Sequence, residues 1–278
     1  MDNYIIDSKQ INLSSASATT KNGSLNSSLY FNINNILKKE QDIFYNLISV
    51  IHCEIPVSFY IINNTNNLFS YTAVIATIPI TYNITLTNGN YNASTFKTMF
   101  LSKLGAGWSL SLSNSTGQFT LTSIYSGYTI NSSSTCYSLL GMAKNTSYNV
   151  VGTTFTFPYQ CNFLGITRLK IKSSIIQTNN IDSYSKGKSN MLCSIPVNNA
   201  SFGLIIYNNI SQFKTIYPNN NLDYIDIQIT DDFDNLIDFN GIDINITLQI
   251  DTIRKHLHDN DSLTHLLGQN EIELFDDN

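Results

Sequence analysis

His52 and Cys53 are adjacent in the sequence and have the residue types of a thiol nucleophile and its general base. Both lie in an apolar stretch typical of a β-strand, and neighbouring residues of a strand point to opposite faces of its sheet. A thiol and an imidazole on opposite faces cannot share a proton, so this pair does not predict a cysteine hydrolase. The sequence also lacks the Gly-x-Ser-x-Gly motif that positions the nucleophile of many serine hydrolases.

The segment Lys186-Gly187-Lys188-Ser189 resembles the end of a phosphate-binding P-loop. A P-loop needs a glycine five residues before its Gly-Lys pair, because backbone amides must turn inward to hold phosphate. This chain has Asp182 at that position, and its carboxylate would repel phosphate. Residues 191–197 predict a strand, whereas a P-loop opens a helix. We therefore predict a loop here and no nucleotide site.

Two groups of side chains have the chemistry of metal ligands, and they are His256, His258, His265, Asp231, Asp232, Asp234 and Asp238. The histidines do not follow the His-Glu-x-x-His spacing, and a solvated tail is the favoured interpretation. The aspartates lack the spacing and the closing Glu of an EF-hand loop, so they indicate acidic turns between strands. No metal, cofactor or catalytic residue is predicted.

Alternation of apolar and polar residues with a period of two recurs along the whole chain. Each such segment predicts a strand with one face in a core and one toward solvent, as in half-buried antiparallel sheets. The segments are 29–33, 78–86, 108–112, 169–172, 225–229 and 244–250. Turn-forming Asn, Gly, Asp and Pro residues separate them. This pattern predicts a mainly β fold, an antiparallel sandwich or jelly roll.

Residues 68–151 differ from the segments on either side, because they read as hairpin, helix, hairpin and short helix. We predict a small inserted α+β module over this range. The jelly-roll domain would then be discontinuous, over 1–67 and 152–250, with a C-terminal tail over 251–278. A single continuous sandwich that includes these strands is the alternative.

The helix of this module has recognisable start and stop signals. Asn92 or Ser94 can cap its beginning, and Gly105 can end it. Its predicted core-facing side chains are Phe96, Met99, Phe100 and Leu104. A second short helical turn is predicted over 136–143.

Charge is scarce, since charged residues make up 13% of the 278 residues and the net charge is −5. Nucleic-acid binding needs clustered cations, and 15 Lys and Arg against 20 acidic residues do not supply them. A surface this poor in charge repels its neighbours weakly, which favours packing against partners. The apolar runs are too short for a membrane span, and no secretory signal is expected. The four cysteines lack Cys-x-x-Cys spacing, so reduced, buried thiols are expected.

A set of short segments carries a family resemblance through its order along the chain. The segments are YIIDS at 4–8, SVIHCEIPVSFY at 49–60, NGNYN at 88–92, FTL at 119–121, LLGM at 139–142, SNMLCSIPV at 189–197, ITDD at 229–232 and LIDFNG at 236–241. In this order the chain resembles the penton proteins, the minor capsid proteins of the vertices, of virophages and Polinton-like viruses. The resemblance spans roughly residues 4–250.

This resemblance implies a jelly-roll capsid subunit without catalytic residues. Five copies would form a ring at each vertex of an icosahedral virion, whose shell is a double jelly-roll major capsid protein. Assembly would take place in the host cytoplasm or viral factory. Because extended arms and strand edges can pair across subunits, we predict assembly contacts from an N-terminal arm and a hairpin. These contact residues are Tyr4, Ile5, Ile6, Asp7, Leu236, Ile237, Asp238 and Phe239.

Two other functions remain open at this point. The chain could be a β-sandwich that binds a carbohydrate or a surface receptor, and the inserted module could itself face a host receptor. It could also be a hydrolase whose site has no recognisable motif. Capsid assembly is the preferred interpretation.

Overall fold

The computed structural model describes residues 4–21, 25–33, 43–176, 181–182, 187–210, 212–217 and 222–254. The strands within these residues are β1 (Tyr4–Ser14), β2 (Thr20–Lys21), β3 (Ser28–Asn32), β4 (Ile43–Pro56), β5 (Leu68–Ile75), β6 (Ile78–Thr85), β7 (Ser109–Leu112), β8 (Phe119–Thr122), β9 (Tyr128–Ile130), β10 (Tyr148–Val150), β11 (Thr154–Thr156), β12 (Arg168–Lys172), β13 (Ile181–Asp182), β14 (Gly187–Lys188), β15 (Met191–Pro196), β16 (Leu204–Asn208), β17 (Thr215–Tyr217), β18 (Tyr224–Thr230) and β19 (Asn245–Arg254). The helices are α1 (Ala93–Leu104) and α2 (Tyr137–Leu140), and Ser15–Ser17 form one 3₁₀ turn.

Two antiparallel sheets pack face to face around a first core. One has the order β1-β19-β4-β16, with β17 also paired to β4, and the other has the order β15-β12-β18-β3-β2. Counted along the chain, the eight main strands are β1, β3, β4, β12, β15, β16 together with β17, β18 and β19. In this count the first sheet holds strands one, eight, three and six. The second sheet holds strands five, four, seven and two, which completes the strand order of a jelly roll. The prediction of a mainly β, antiparallel jelly-roll sandwich is confirmed.

Sequence alternation explains how this first core is filled. In β18, Ile225, Ile227 and Ile229 are buried, while the polar residues between them lie on the outer face. In β19, every second residue from Ile246 to Ile250 enters the same core. Burying each of these aliphatic side chains contributes about 1.5–3 kcal/mol, so the alternation fixes which face of each sheet turns inward.

The residues between β4 and β12 build a second core. It lies among a sheet of order β10-β9-β5-β6, a sheet of order β11-β8-β7, and α1. Its largest fully buried side chains are aromatic: Phe69, Phe96, Phe100, Phe119 and Phe157. The predicted module boundaries at residues 68 and 151 stay a prediction, because shared packing does not show which segment folds by itself.

Helix α1 begins and ends at the predicted residues. The Asn92 Oδ1 atom accepts hydrogen bonds from the backbone amides of Ser94 (3.0 Å) and Thr95 (2.9 Å). The Thr95 hydroxyl accepts one from the Asn92 amide (3.0 Å), which completes a capping box. Gly105 follows the last turn with φ at 86°, a conformation that favours glycine. The predicted helix is confirmed, and α2 lies within the second predicted turn.

The chain leaves the jelly roll for the second core and returns at the same end of the sandwich. Pro56, the end of β4, pairs with Leu204, and Arg168, the start of β12, pairs with Pro196. We call this the module end. The loop 231–244 that joins β18 to β19 lies there too, because it follows the end of β18 nearest Arg168. Tyr4 pairs with Arg254 at the opposite, distal end.

Three sequence-based predictions meet the limits of the described residues. Strand β19 runs to Arg254, so the first four residues of the predicted tail belong to a strand. The remainder of that tail, with its three histidines, lies outside the described residues, as does Lys186. Gly187–Lys188 forms the short strand β14, paired with β13, where a P-loop would open a helix.

Within the described residues, no helix is long and apolar enough to span a membrane.

Candidate functional site

The first predicted contact segment is the beginning of β1. Tyr4 pairs with Arg254 and Asp7 pairs with Thr252, with a bulge between them. Among the described strands, β1 pairs only with β19, so it is an outer strand of its sheet. Such an edge presents backbone donors and acceptors that another chain can pair. An assembly role stays a prediction for Tyr4, Ile5, Ile6 and Asp7.

The second predicted contact segment is largely internal to the subunit. Ile237 is 2% exposed and Phe239 is fully buried, so both belong to the first core. The Phe239 ring packs edge-on against Phe59 with centroids 6.2 Å apart, and the Ser58 hydroxyl donates to the Phe239 carbonyl (2.7 Å). Leu236 and Asp238 are exposed at the module end, far from the segment 4–7 at the distal end. The two predicted segments are not brought together.

The acidic loop after β18 folds around Asp231. Its carboxylate accepts hydrogen bonds from the backbone amides of Phe233 (2.8 Å) and Asn235 (2.9 Å), and from the Asn235 side chain (2.9 Å). A carboxylate used in this way fixes the turn and has fewer lone pairs for an outside ligand.

The neighbouring carboxylates of this loop face cations of β12. Asp232 contacts the Arg168 guanidinium at 2.6 Å, and Asp234 contacts the Lys172 ammonium at 2.5 Å. Lys170, between those two cations on the outer face of β12, lies 3.4 Å from Asp234 although its side chain is only 6% exposed. Of the four aspartates that resembled a calcium loop, Asp232 and Asp234 therefore hold the loop against the sheet, whereas Asp231 and Asp238 accept hydrogen bonds within the loop. The alternating cations of β12 are visible in the sequence, but no sequence pattern marks the acidic loop as their partner.

His52 and Cys53 lie on opposite faces of β4, as predicted from the strand geometry. The His52 Nδ1 atom is 2.8 Å from Asn208 Oδ1 on the outer face, whereas Cys53 is fully buried in the first core. Burial raises the pKa of Cys53 and Cys136, and it raises that of Cys193 to about 12, so these thiols stay protonated and unreactive. Cys161 is partly exposed, which differs from the expectation of four buried thiols.

An apolar surface lies along the outer edge formed by β16, β17 and their flanking loops. Its members are exposed large hydrophobic side chains, which we call the apolar band: Phe202, Leu204, Ile206, Ile210, Phe213 and Ile216. Phe202 is 88% exposed and Ile210 is 91% exposed. Between residues 197 and 217, Lys214 is the charged residue that the structure describes, and it bonds to Asp251 (2.6 Å). No member of the band is charged, and the carboxylate nearest to it along the sheet is that of Glu54, which pairs directly opposite Ile206 on β4.

A cleft of about 650 Å³ lies between the jelly roll and the second core at the module end. It is bordered by residues 61–66 after β4, by 132–145 around α2, by 162–168 before and at the start of β12, and by the acidic loop. Of its charged residues, Arg168 and Asp232 pair with each other. The Lys144 ammonium lies 6.0 Å from the centre of the Tyr137 ring and has no carboxylate partner among the described residues.

No protein-family model and no curated protein matches the chain. Among solved structures, it is similar to the crystal structure of the mavirus penton protein, with a TM-score of 0.47 and 11% sequence identity. The match covers 89% of this chain and 100% of that chain. A likeness this distant carries no argument about function, and the jelly-roll assignment comes from the strand order alone.

Proposed function

We propose that this protein is a structural capsid subunit, a penton that forms a homopentamer at the five-fold vertices of an icosahedral virion. The observation that carries the proposal is the apolar band. Monomeric soluble proteins rarely leave large contiguous apolar patches exposed, and such patches commonly mark contacts between proteins. The cores of such interfaces are poor in charge, as this edge is.

The position of the band suits a ring. Among the described strands, β16 pairs only with β4, so its outer edge is open for pairing or packing. A ring of identical subunits uses two different surfaces of each copy, which meet when the rotation closes. The band on the edge at β16 is one such surface, and the opposite edge of the same sheet, β1, is a second.

The order of sequence segments supports the viral part of the proposal. Because that order resembles the penton proteins of virophages and Polinton-like viruses, the partner we propose outside the ring is a double jelly-roll major capsid protein. The jelly roll is a fold of viral capsid proteins and also of lectins, so the fold alone is compatible with either.

The test is a charge placed in the band by Ile210→Lys. Ile210 is 91% exposed in the loop after β16, so the isolated subunit should tolerate lysine there. In the ring, the lysine would be buried without a partner, which costs several kcal/mol. At a cost of about 3 kcal/mol, the equilibrium constant of each contact between subunits would fall at least a hundredfold. Sedimentation equilibrium should show pentamers for the natural chain and monomers for this variant.

Val151→Lys is the matched control, because Val151 is 95% exposed outside the band. It should leave the pentamer intact. A natural chain that remains monomeric at high concentration with the major capsid protein present would contradict the proposal. A protein census of purified particles should give about five copies of this chain per vertex.

A further inference from the structure

We propose that the cleft at the module end binds a saccharide. More than half of the residues that line it are Asn, Ser or Thr, whereas these types make up about a third of the chain. Its volume of about 650 Å³ lies within the range of small-molecule sites, roughly 300–1,000 Å³. This inference does not depend on pentamer formation.

The polar groups of the cleft include several that the protein leaves unused. Among the described residues, the hydroxyls of Ser132, Ser133 and Ser138 have no hydrogen-bond partner. Asn162 is held in place because its Oδ1 atom accepts from the Leu164 amide (2.9 Å), and its Nδ2 atom remains a donor. Hydroxyl and amide groups donate and accept at once, which matches the hydroxyls of a sugar.

The charges of the cleft disfavour a phosphorylated ligand. Arg168 is neutralised by Asp232 at 2.6 Å, and the Asp231 carboxylate borders the same space. A polyphosphate would meet these carboxylates with Lys144 as the single unpaired cation among the described lining residues. One ammonium is enough to pair with the carboxylate of an acidic sugar.

An aromatic ring completes the site. Tyr137 is half-buried at the start of α2, where it lies beside Lys144. Tyrosine combines an apolar ring face with a polar hydroxyl, so it can contact both the C–H face of a sugar ring and its hydroxyl groups. The lining thus combines polar groups from several segments with apolar side chains such as Tyr137, Ile61 and Ile166.

The experiment uses the full chain on an array of neutral and carboxylate-bearing oligosaccharides, followed by NMR titration with the best binder. Ser133→Trp places an indole in the cleft and should weaken binding at least about tenfold, which corresponds to ~1.4 kcal/mol. The control is Ser115→Trp, an exposed serine in the turn between β7 and β8 that should leave affinity unchanged. Circular dichroism checks that both variants fold.

A second pair of variants keeps the test independent of the tryptophan. Lys144→Ala should weaken binding of carboxylate-bearing sugars, whereas Lys97→Ala, on the exposed face of α1, should not. Shift changes at cleft residues support the proposal. Binding to no saccharide, or binding that Ser133→Trp and Lys144→Ala both leave unchanged, would overturn it. Either result leaves the oligomeric state, and so the capsid proposal, to the sedimentation experiment.

Discussion

Asp251 offers the sharpest test of how the jelly roll is held together. It is the carboxylate that the described structure buries, with 1% of its surface exposed. Its oxygens accept hydrogen bonds from Lys214 Nζ (2.6 Å), Ser8 Oγ (2.6 Å) and Gln249 Nε2 (2.8 Å). These groups join β1, β19 and the segment before β17, so one side chain ties together three parts of the first sheet.

The expected loss on Asp251→Asn follows from this geometry. Burial by itself would raise the pKa of Asp251, but the hydrogen bonds from Lys214, Ser8 and Gln249 outweigh it and hold that pKa below its ordinary value. The ionised form is therefore the one that the fold favours. A hydrogen bond to a charged group contributes about 1.5–3 kcal/mol, so removing the charge beside Lys214 should lower the free energy of unfolding by about 2 kcal/mol at neutral pH.

The pH dependence has a definite sign. Because the folded pKa lies below the unfolded value of about 3.9, the contribution of the carboxylate is complete above about pH 4 and is lost as the pH falls through the folded pKa. The difference in unfolding free energy between the natural chain and the variant should therefore be constant near neutral pH and shrink in acid.

Urea unfolding followed by circular dichroism, from neutral pH down to about pH 2, measures both quantities. Asp7→Asn is the control at equal protein concentration, since Asp7 and Lys9 form an exposed pair at 3.2 Å whose loss should cost less than about 1 kcal/mol. A loss below about 0.5 kcal/mol for Asp251→Asn, or one that does not change in acid, would refute the reasoning.

Three further predictions concern the second core and the thiols. Phe100→Ala removes a fully buried ring that contacts Phe69 at 5.0 Å between centroids, and it should lower the unfolding free energy in urea by about 3–5 kcal/mol. Asn92→Ala removes the α1 cap and should cost about 1 kcal/mol in the same assay, whereas the neighbouring Ser94→Ala should cost little. Burial raises the pKa of Cys161 as well, but its thiol is the partly exposed one, so iodoacetamide should alkylate it before the other three, and Cys161→Ser should remove that first phase in intact-mass measurements.

Several features were predictable because they depend on neighbours in sequence. The alternation in 225–229 and 244–250 predicted β18 and β19, since a period of two puts one set of side chains on each face. The capping residues predicted α1 because a cap bonds within its own first turn. His52 and Cys53 were correctly placed on opposite faces by the same local geometry.

Other features depend on which strands become neighbours. The residues Leu204 to Tyr207 form an apolar run without alternation, and such a run does not reveal whether its strand is central or at an edge. The fold places it at the edge, which exposes Leu204 and Ile206 and creates the apolar band. The contact segment 236–239 was predicted to be accessible, but the sandwich closes over Ile237 and Phe239.

By itself, the sequence determined the β-rich class, the strand faces of the jelly roll, the helix ends and the scarcity of charge, because each follows from local pattern or composition. In β6, by contrast, Ile78 and Ile80 of the predicted core face are exposed. Only the tertiary structure decided that the acidic loop meets the cations of β12, about 60 residues away in the chain, and that four separate segments border one cleft. These contacts join residues with no sequence relation to one another. Their partners are fixed by the order and register of the strands, and that register is set because each sheet must turn its apolar face into the core.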